Sequence, residues 1–130
     1  MKNTTALLTL LALTLSGWAQ QDVSFQNELQ RSIDRGIASL KSSQHVEGYW
    51  TSPDHPAVTA IALVAHHGNP NKPKQTPDWI KKAYSYLLKH VQPNGSIYIP
   101  GKGLANYNTS LCMMAMLASG DSKYNPIIIK

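Results

Sequence analysis

The chain has 130 residues, of which 42% are hydrophobic and 15% charged, and its formal net charge is +5. This length would ordinarily make one domain. The basic residues are scattered and form no continuous track with interleaved aromatics, which disfavours a nucleic-acid groove. Because Cys112 is the only cysteine, an internal disulfide framework is excluded, and we predict that this residue is a small buried hydrophobe.

The start of the chain has the pattern of a secretory signal peptide at residues 1–19. A positively charged start precedes an apolar run at residues 6–15, and small residues stand at the two positions that a signal peptidase reads before the end of Gly17-Trp18-Ala19. The run is too short to span a bilayer. We expect cleavage after Ala19 and export to the periplasm or the extracellular space, with no transmembrane segment in the mature chain.

The first predicted helix covers residues 24–43. Its apolar residues recur every three or four positions and form one face, while polar and charged residues occupy the other. Ser24 or Asp22 is predicted to cap its start, and Gly48 and Pro53 interrupt the pattern after its end. The apolar positions are Phe25, Leu29, Ile33, Ile37 and Leu40.

The second predicted helix covers residues 56–67. Pro56 suits its first turn, where a missing N–H costs nothing, and Gly68 is placed to end it through a left-handed cap. Almost every residue in it is small or apolar, and the fourth predicted helix, at residues 108–119, has the same composition. Because a helix that is apolar all round is normally buried on every side, both are predicted to form an inner layer.

The third predicted helix, residues 77–91, is amphipathic and follows a linker rich in Pro, Asn and Lys. Thr76 is predicted as its hydroxyl cap, with Pro77 in the first turn and Asp78 near the positive end of the helix dipole. A further start signal, Asn125-Pro126, stands close to the end of the sequence. Since so short a helix is not stable alone, we expect this chain to be the N-terminal fragment of a longer protein.

A segment of about 48 residues occurs twice in the chain. Each copy consists of an amphipathic helix, a loop that contains glutamine and glycine, and an apolar helix. Self-similarity at such a period is typical of helical repeat architectures. In these, one helical hairpin cannot bury its apolar face until the next hairpin stacks against it.

The repeated segment resembles the QW motif of squalene–hopene and oxidosqualene cyclases. Over about residues 24–130 the chain is similar to the prenyltransferase and squalene oxidase repeat family. The first copy keeps the motif in register, with Ser39 in place of the usual aromatic residue. The second copy has a longer spacer, and Ile97 replaces the tryptophan. The motif residues are Arg35, Gly36, Leu40, Gln44, Gly48 and Trp50 in the first copy and Lys82, Ala83, Leu88, Gln92 and Gly95 in the second.

This resemblance implies an all-α fold of the terpenoid-cyclase type, an α/α toroid whose helical hairpins form an incomplete barrel. Residues 20–130 would hold about two repeats and the start of a third. By the same resemblance Gln44, Trp50 and Gln92 support helix ends, which otherwise carry unpaired backbone groups, and take no part in chemistry. The alternative for Trp50 is an ordinary half-buried loop aromatic.

The catalytic motifs of the family have no counterpart in the sequence. The cyclases protonate their substrate with Asp-x-Asp-Asp, whereas the aspartates here are isolated. The prenyltransferase β-subunits bind zinc through Asp, Cys and His, and Cys112 has no partner at a suitable spacing. His55, His66 and His67 are interpreted as polar residues at helix ends, because adjacent helical side chains diverge by about 100°. We therefore predict no catalytic residue, no metal and no cofactor.

Three functions are open at this point. The first is an exported squalene-cyclase-like repeat protein that binds an apolar, isoprenoid-like ligand between inner helices. The second is a non-enzymatic α/α scaffold that binds a protein or a glycan at the cell envelope. The third and weakest is a polysaccharide lyase, since some lyases also use α/α toroids. Tyr49, Tyr98 and Tyr107 could line a cavity mouth, although packing or surface roles are the simpler interpretation.

Overall fold

The computed structural model describes the backbone of residues 2–130 and the side chains of residues 23–130. The predicted signal peptide, residues 1–19, lies outside the part whose side chains are described. The all-α prediction is confirmed, and among the described residues no helix is long and apolar enough to cross a membrane. The elements are α1 (Lys2–Ser43), α2 (Pro56–Gly68), α3 (Asp78–Leu88), α4 (Ala105–Ser119), a 3-10 turn (Ser122–Tyr124) and α5 (Asn125–Ile128).

Helix α1 begins well before the predicted start at residue 24, although it ends at the predicted residue. Ser24 and Asp22, the predicted caps, lie inside the helix. The prediction was wrong because residues 20–23 contain neither proline nor glycine, so nothing in their backbone chemistry stops a helix from continuing through them. The chain divides into two compact units, residues 1–36 and residues 37–130.

Two predicted caps are also absent from the second unit. Gly68 belongs to α2, which ends instead at Asn69 in an extended conformation, because a residue that precedes proline is pushed out of the helical region. Thr76 makes no cap, since Pro77 is extended and occupies the N-cap position of α3 itself. A carboxylate is present in the first turn as predicted, and Asp78 accepts a hydrogen bond from Lys81 at 2.9 Å.

The last residue of α3 and the first residue of α4 each differ from the prediction by about one helical turn. Helix α3 stops at Leu88 and not at residue 91, because the N–H of His90 bonds the carbonyl oxygen of Leu87 and tightens the chain into a turn. Helix α4 begins at Ala105 and not at residue 108, directly after Leu104 in a left-handed conformation.

Helices α2 and α4 lie side by side and run in the same direction. At their N-terminal ends, the N–H of Ala57 donates to the side-chain oxygen of Asn108 at 3.1 Å. At their C-terminal ends, the hydroxyl of Tyr84 from α3 donates to the carbonyl oxygen of Ala115 at 2.7 Å and lies 2.9 Å from the Nε2 of His67. Since like ends meet like ends, the two helices are parallel.

Helix α3 packs against this pair and is antiparallel to α2. Trp79, at its start, contacts His66 at the end of α2, with ring centroids 5.2 Å apart. Tyr86, near its end, donates its hydroxyl to the carbonyl oxygen of Pro53, just before α2. The core of the second unit lies between these helices, and Cys112 is buried in it as predicted. Its largest fully buried apolar side chains are Leu63, Ile80, Leu87, Ile97 and Met116.

Candidate functional site

The loop that follows α1 is tied to the start of α3 by Gln44. The side-chain Nε2 donates to two carbonyl oxygens, that of Gly48 in the same loop at 3.1 Å and that of Trp79 in α3 at 2.9 Å. Both bonds are partly buried. A single amide group therefore closes the loop on itself and fixes it to the first turn of another helix.

Trp50 connects the same loop to the end of α1. It is buried, and its indole N–H donates to the carbonyl oxygen of Leu40 at 2.8 Å. The last four carbonyls of a helix have no partner inside the helix, and that of Leu40 is one of these in α1. The Trp50 ring also packs edge-on against Trp79, with centroids 6.1 Å apart. Trp50 thus satisfies a helix end and contacts the start of α3.

Two glycines allow each loop to approach the second helix after it. Gly48 has a φ of 100°, and a Cβ added there would lie 2.5 Å from the carbonyl oxygen of Lys82 in α3. Gly95 has a φ of 85°, and its Cβ would lie 2.6 Å from the Cβ of Lys130 and 3.4 Å from the carbonyl oxygen of Ile127 in α5. Both positions combine a conformation that favours glycine with a contact that leaves no room for a side chain.

The turns that contain these glycines have the same hydrogen-bond pattern. In the first turn the N–H of Gly48 donates to the carbonyl oxygen of His45, and the N–H of His45 donates to that of Tyr49. In the second turn Gly95 and Gln92 make the corresponding bonds, with Ser96 in the place of Tyr49. The local backbone is therefore built alike in both loops.

This shared pattern corrects the register of the second motif. From the sequence we aligned Gln92 with Gln44. The turn geometry instead makes Gln92 equivalent to His45 and Val91 equivalent to Gln44. The side chain of Gln92 accordingly bonds the carbonyl oxygens of His90 and Tyr98, each at 3.0 Å, within its own loop. No bond from it to another helix is present among the described residues. The two glutamines have different roles because the first reaches α3 and the second does not.

The other predicted motif residues are placed less closely together. Arg35 and Gly36 belong to the first unit, where the Arg35 guanidinium lies 3.5 Å from the Ser32 hydroxyl. Ala83 is buried in the core between α3 and its neighbours, while Lys82 and Leu88 are exposed. The structure thus brings together Leu40, Gln44, Gly48 and Trp50 with the backbone of Lys82.

Helices α2 and α4 are not buried on every side, which corrects the prediction made from their composition. Ile61 of α2 is 49% exposed, and Met114 and Leu117 of α4 are 52% and 62% exposed. The reason is that the neighbouring elements cover only part of each helix, so the rest of its surface faces solvent. Leu63 and Met116, on the core side of the same helices, are buried.

The C-terminal ends of α2 and α4 carry a cluster that the sequence did not predict. Tyr84 is buried, stacks on Tyr124 with ring centroids 4.9 Å apart, and contacts His67. Burial is the main cause that raises the pKa of Tyr84. Burial also lowers the pKa of His67, with smaller contributions from the neighbouring His66 and from Lys72. Both groups are therefore neutral near pH 7.

Two of the loop tyrosines that could line a cavity mouth have different environments. Tyr49 stacks on His45 with centroids 4.3 Å apart and packs against the core, and Tyr107 is exposed. In the described part of the chain no three His, Cys, Asp or Glu side chains are grouped so that they could hold a metal ion. Asn108 and Tyr84 were missed because each acts on a partner far away in sequence, and no local pattern marks either residue.

Compared with protein-family models, with curated proteins and with solved structures, the chain matches none of them.

Proposed function

We propose that this chain is a squalene-cyclase-like helical repeat protein that binds an apolar ligand on the exposed side of α2 and α4. The observation that carries the proposal is the pair of parallel helices, each of which has solvent-exposed apolar side chains, Ile61 on α2 and Met114 and Leu117 on α4. Parallel inner helices that turn an apolar side to a central space are expected of an α/α toroid, the architecture that the motif resemblance implies.

The two loops support a repeat arrangement. Each has the same backbone turn, and each rests through a glycine on the second helix after it, Gly48 on α3 and Gly95 on α5. Helix α5 therefore occupies the position relative to the second loop that α3 occupies relative to the first. Contacts that recur from one hairpin to the next are what stacked helical repeats require.

The chemistry of the exposed side favours an uncharged ligand. Neither α2 nor α4 contains a lysine, arginine, aspartate or glutamate. Met114 is flexible and adapts to irregular apolar shapes, and Ile61 and Leu117 are purely aliphatic. Exposed apolar surface of this kind on a globular protein commonly marks a binding site. An isoprenoid alcohol or hydrocarbon fits this description.

The test is a titration of the purified chain with a dansyl-labelled isoprenoid alcohol, followed by fluorescence and by competition with unlabelled squalene. The variant Ile61→Gln with Met114→Gln should weaken binding. Each side chain would lose about 1 kcal/mol of burial, about half the value for a fully buried one, so Kd should rise about thirtyfold. Val46→Gln is the matched control, because Val46 is an exposed apolar residue in the loop after α1.

Saturable binding that the double variant weakens and the control does not would support the proposal. Absence of saturable binding, or an equal loss in Val46→Gln, would contradict it and favour the scaffold alternative, in which the same helices bind an envelope protein or a glycan. A gain of squalene turnover by the purified chain would contradict the view that these residues bind without catalysing.

A further inference from the structure

Residues 23–36 of α1, which belong to the first unit, carry an exposed apolar stripe. Its members are Phe25, Leu29 and Ile33, which follow one another at about one turn on the same side of the helix. Phe25 is 61% exposed and Leu29 is 47% exposed, while Ile33 is half-buried. Since an amphipathic helix owes most of its stability to the packing of its apolar face, this stripe lacks the contact that normally holds such a helix in place.

Two residues of opposite charge lie along one edge of the stripe. Glu28 and Arg35 are seven residues apart, which is nearly two turns, so they share this edge at a separation of about 10 Å along the helix axis. That separation is too long for an ion pair between them. Among the described residues neither side chain forms an ion pair, and the Arg35 guanidinium lies 3.5 Å from the Ser32 hydroxyl.

The other charges of the segment lie elsewhere on the helix surface. At 3.6 residues per turn, Arg31 is on the side opposite the stripe and Asp34 is at the other edge. The Asp34 carboxylate accepts a hydrogen bond from the side chain of Gln30 at 2.7 Å. Residues 23–36 contain two acidic and two basic side chains in all, so their net charge neither attracts nor repels a second copy of the segment.

A second copy of this helix fits the stripe when it runs in the opposite direction. Antiparallel pairing about a two-fold axis near residue 31 places Leu29 of each copy against Ile33 of the other. The same register places Glu28 of each copy beside Arg35 of the other, so one alignment satisfies both the apolar contacts and the charges. In a parallel pair the edge with Glu28 would face the edge with Asp34, which offers no arginine.

We propose that this chain forms a symmetric dimer through residues 23–36 of α1, with the two helices antiparallel. The contacts between Leu29 and Ile33 exclude water, Phe25 of each copy packs on the turn after Ile33 of the other, and two Glu28–Arg35 pairs fix the direction. Small interfaces are typical of transient assemblies, so we expect a dimer Kd of about 10 μM. This surface lies on α1, so the dimer and the apolar ligand site on α2 and α4 can each fail without the other.

The charge pairs are tested by sedimentation equilibrium of the purified chain over a range of concentrations. Glu28→Arg and Arg35→Glu, each alone, turn both ion pairs into repulsions and should raise the dimer Kd about tenfold at low salt. The double variant Glu28→Arg with Arg35→Glu rebuilds both pairs and should return the Kd close to its original value. Glu47→Arg is the matched control, because it makes the same change of charge at an exposed residue of the loop after α1.

The apolar contact is tested by Leu29→Gln. Each of the two copies loses about half the burial of a leucine side chain, so the dimer Kd should rise about thirtyfold. Val46→Gln, at an exposed apolar residue of the loop after α1, should leave the Kd unchanged. Circular dichroism checks the helix content of every variant. A single charge variant that loses its helix cannot imitate the expected result, because the result includes recovery of the dimer in the double variant.

Three results would overturn the proposal. A monomer at every concentration would mean that no such dimer exists. A dimer that the single charge variants do not weaken, or that the double variant does not restore, would exclude the antiparallel register. A dimer that Ile61→Gln with Met114→Gln weakens and Leu29→Gln does not would show that the copies associate through α2 and α4 instead.

Discussion

Replacing Gly48 with alanine should destabilise the protein by about 2–3 kcal/mol. The φ of 100° at this residue costs a non-glycine side chain about 1–2 kcal/mol. The new Cβ would also lie 2.5 Å from the carbonyl oxygen of Lys82 and 2.9 Å from its carbonyl carbon, both of them backbone atoms of α3. The loop must therefore move away, which stretches the bond between Gln44 and Trp79 and adds about 1 kcal/mol.

Two other glycines separate these contributions. Gly101 has a φ of 81° but no atom within 4 Å of a built Cβ, so Gly101→Ala reports the conformational strain alone. Gly36 lies inside α1 with the same open space and no unusual φ, so Gly36→Ala should stabilise the helix by about 0.5–1 kcal/mol. Urea unfolding followed by circular dichroism gives all three values. If Gly48→Ala costs no more than Gly101→Ala, the contact with α3 contributes nothing and the reasoning fails.

Four further outcomes are expected. Asn108→Ala should cost about 1–2 kcal/mol in urea unfolding because it removes the acceptor for an N–H in the first turn of α2, and a neutral result would contradict this. Trp50→Phe should cost about 1 kcal/mol by removing the shorter of the two hydrogen bonds to the Leu40 carbonyl oxygen, the other being that of the Ser43 hydroxyl at 3.3 Å, while an unchanged midpoint would count against it. Burial lowers the pKa values of His66 and His67 below 6.5 in the folded state. As the pH falls, the unfolded chain therefore binds protons at a higher pH than the folded chain does. The stability that these histidines contribute should be fully present above pH 6.5 and be lost as the pH falls through the folded pKa values. Unfolding curves that coincide at about pH 7.5 and about pH 5 would refute this. Protein secreted from a bacterial host should begin at Gln20 in N-terminal sequencing, and an intact initiator methionine would exclude the predicted cleavage.

The helices could be predicted from the sequence because their apolar periodicity is a local property. Pro56, for example, marked the start of α2 to the residue. The start of α1 could not be predicted, because a helix that continues without interruption leaves no signal in the sequence. Thr76 has the chemistry of a cap, but the extended conformation of Pro77 places the helix start one residue too late for its hydroxyl.

The candidate sites were less predictable for a different reason. Gln44 and Trp50 could be singled out because their spacing around Gly48 resembles a QW motif, whereas the identity of Gln92 misled the alignment of the second loop. The backbone conformation of Gly95 fixes that loop, and an alignment of Gln92 with Gln44 does not reveal this conformation. The Tyr84 bonds to α2 and α4 join residues 17 and 31 positions away, and no spacing rule connects such partners.

The bond between Asn108 and Ala57 makes α2 depend on a part of the chain that is synthesised later. The N–H of Ala57 finds its acceptor 51 residues downstream, just as the loop after α1 finds its support on α3. When α2 first leaves a ribosome, its N-terminal turn is incomplete and its core side is uncovered. Helix α2 is thus complete only when α4 has emerged, so a translation pause between α3 and α4 would lengthen the exposure of α2 to proteases and chaperones.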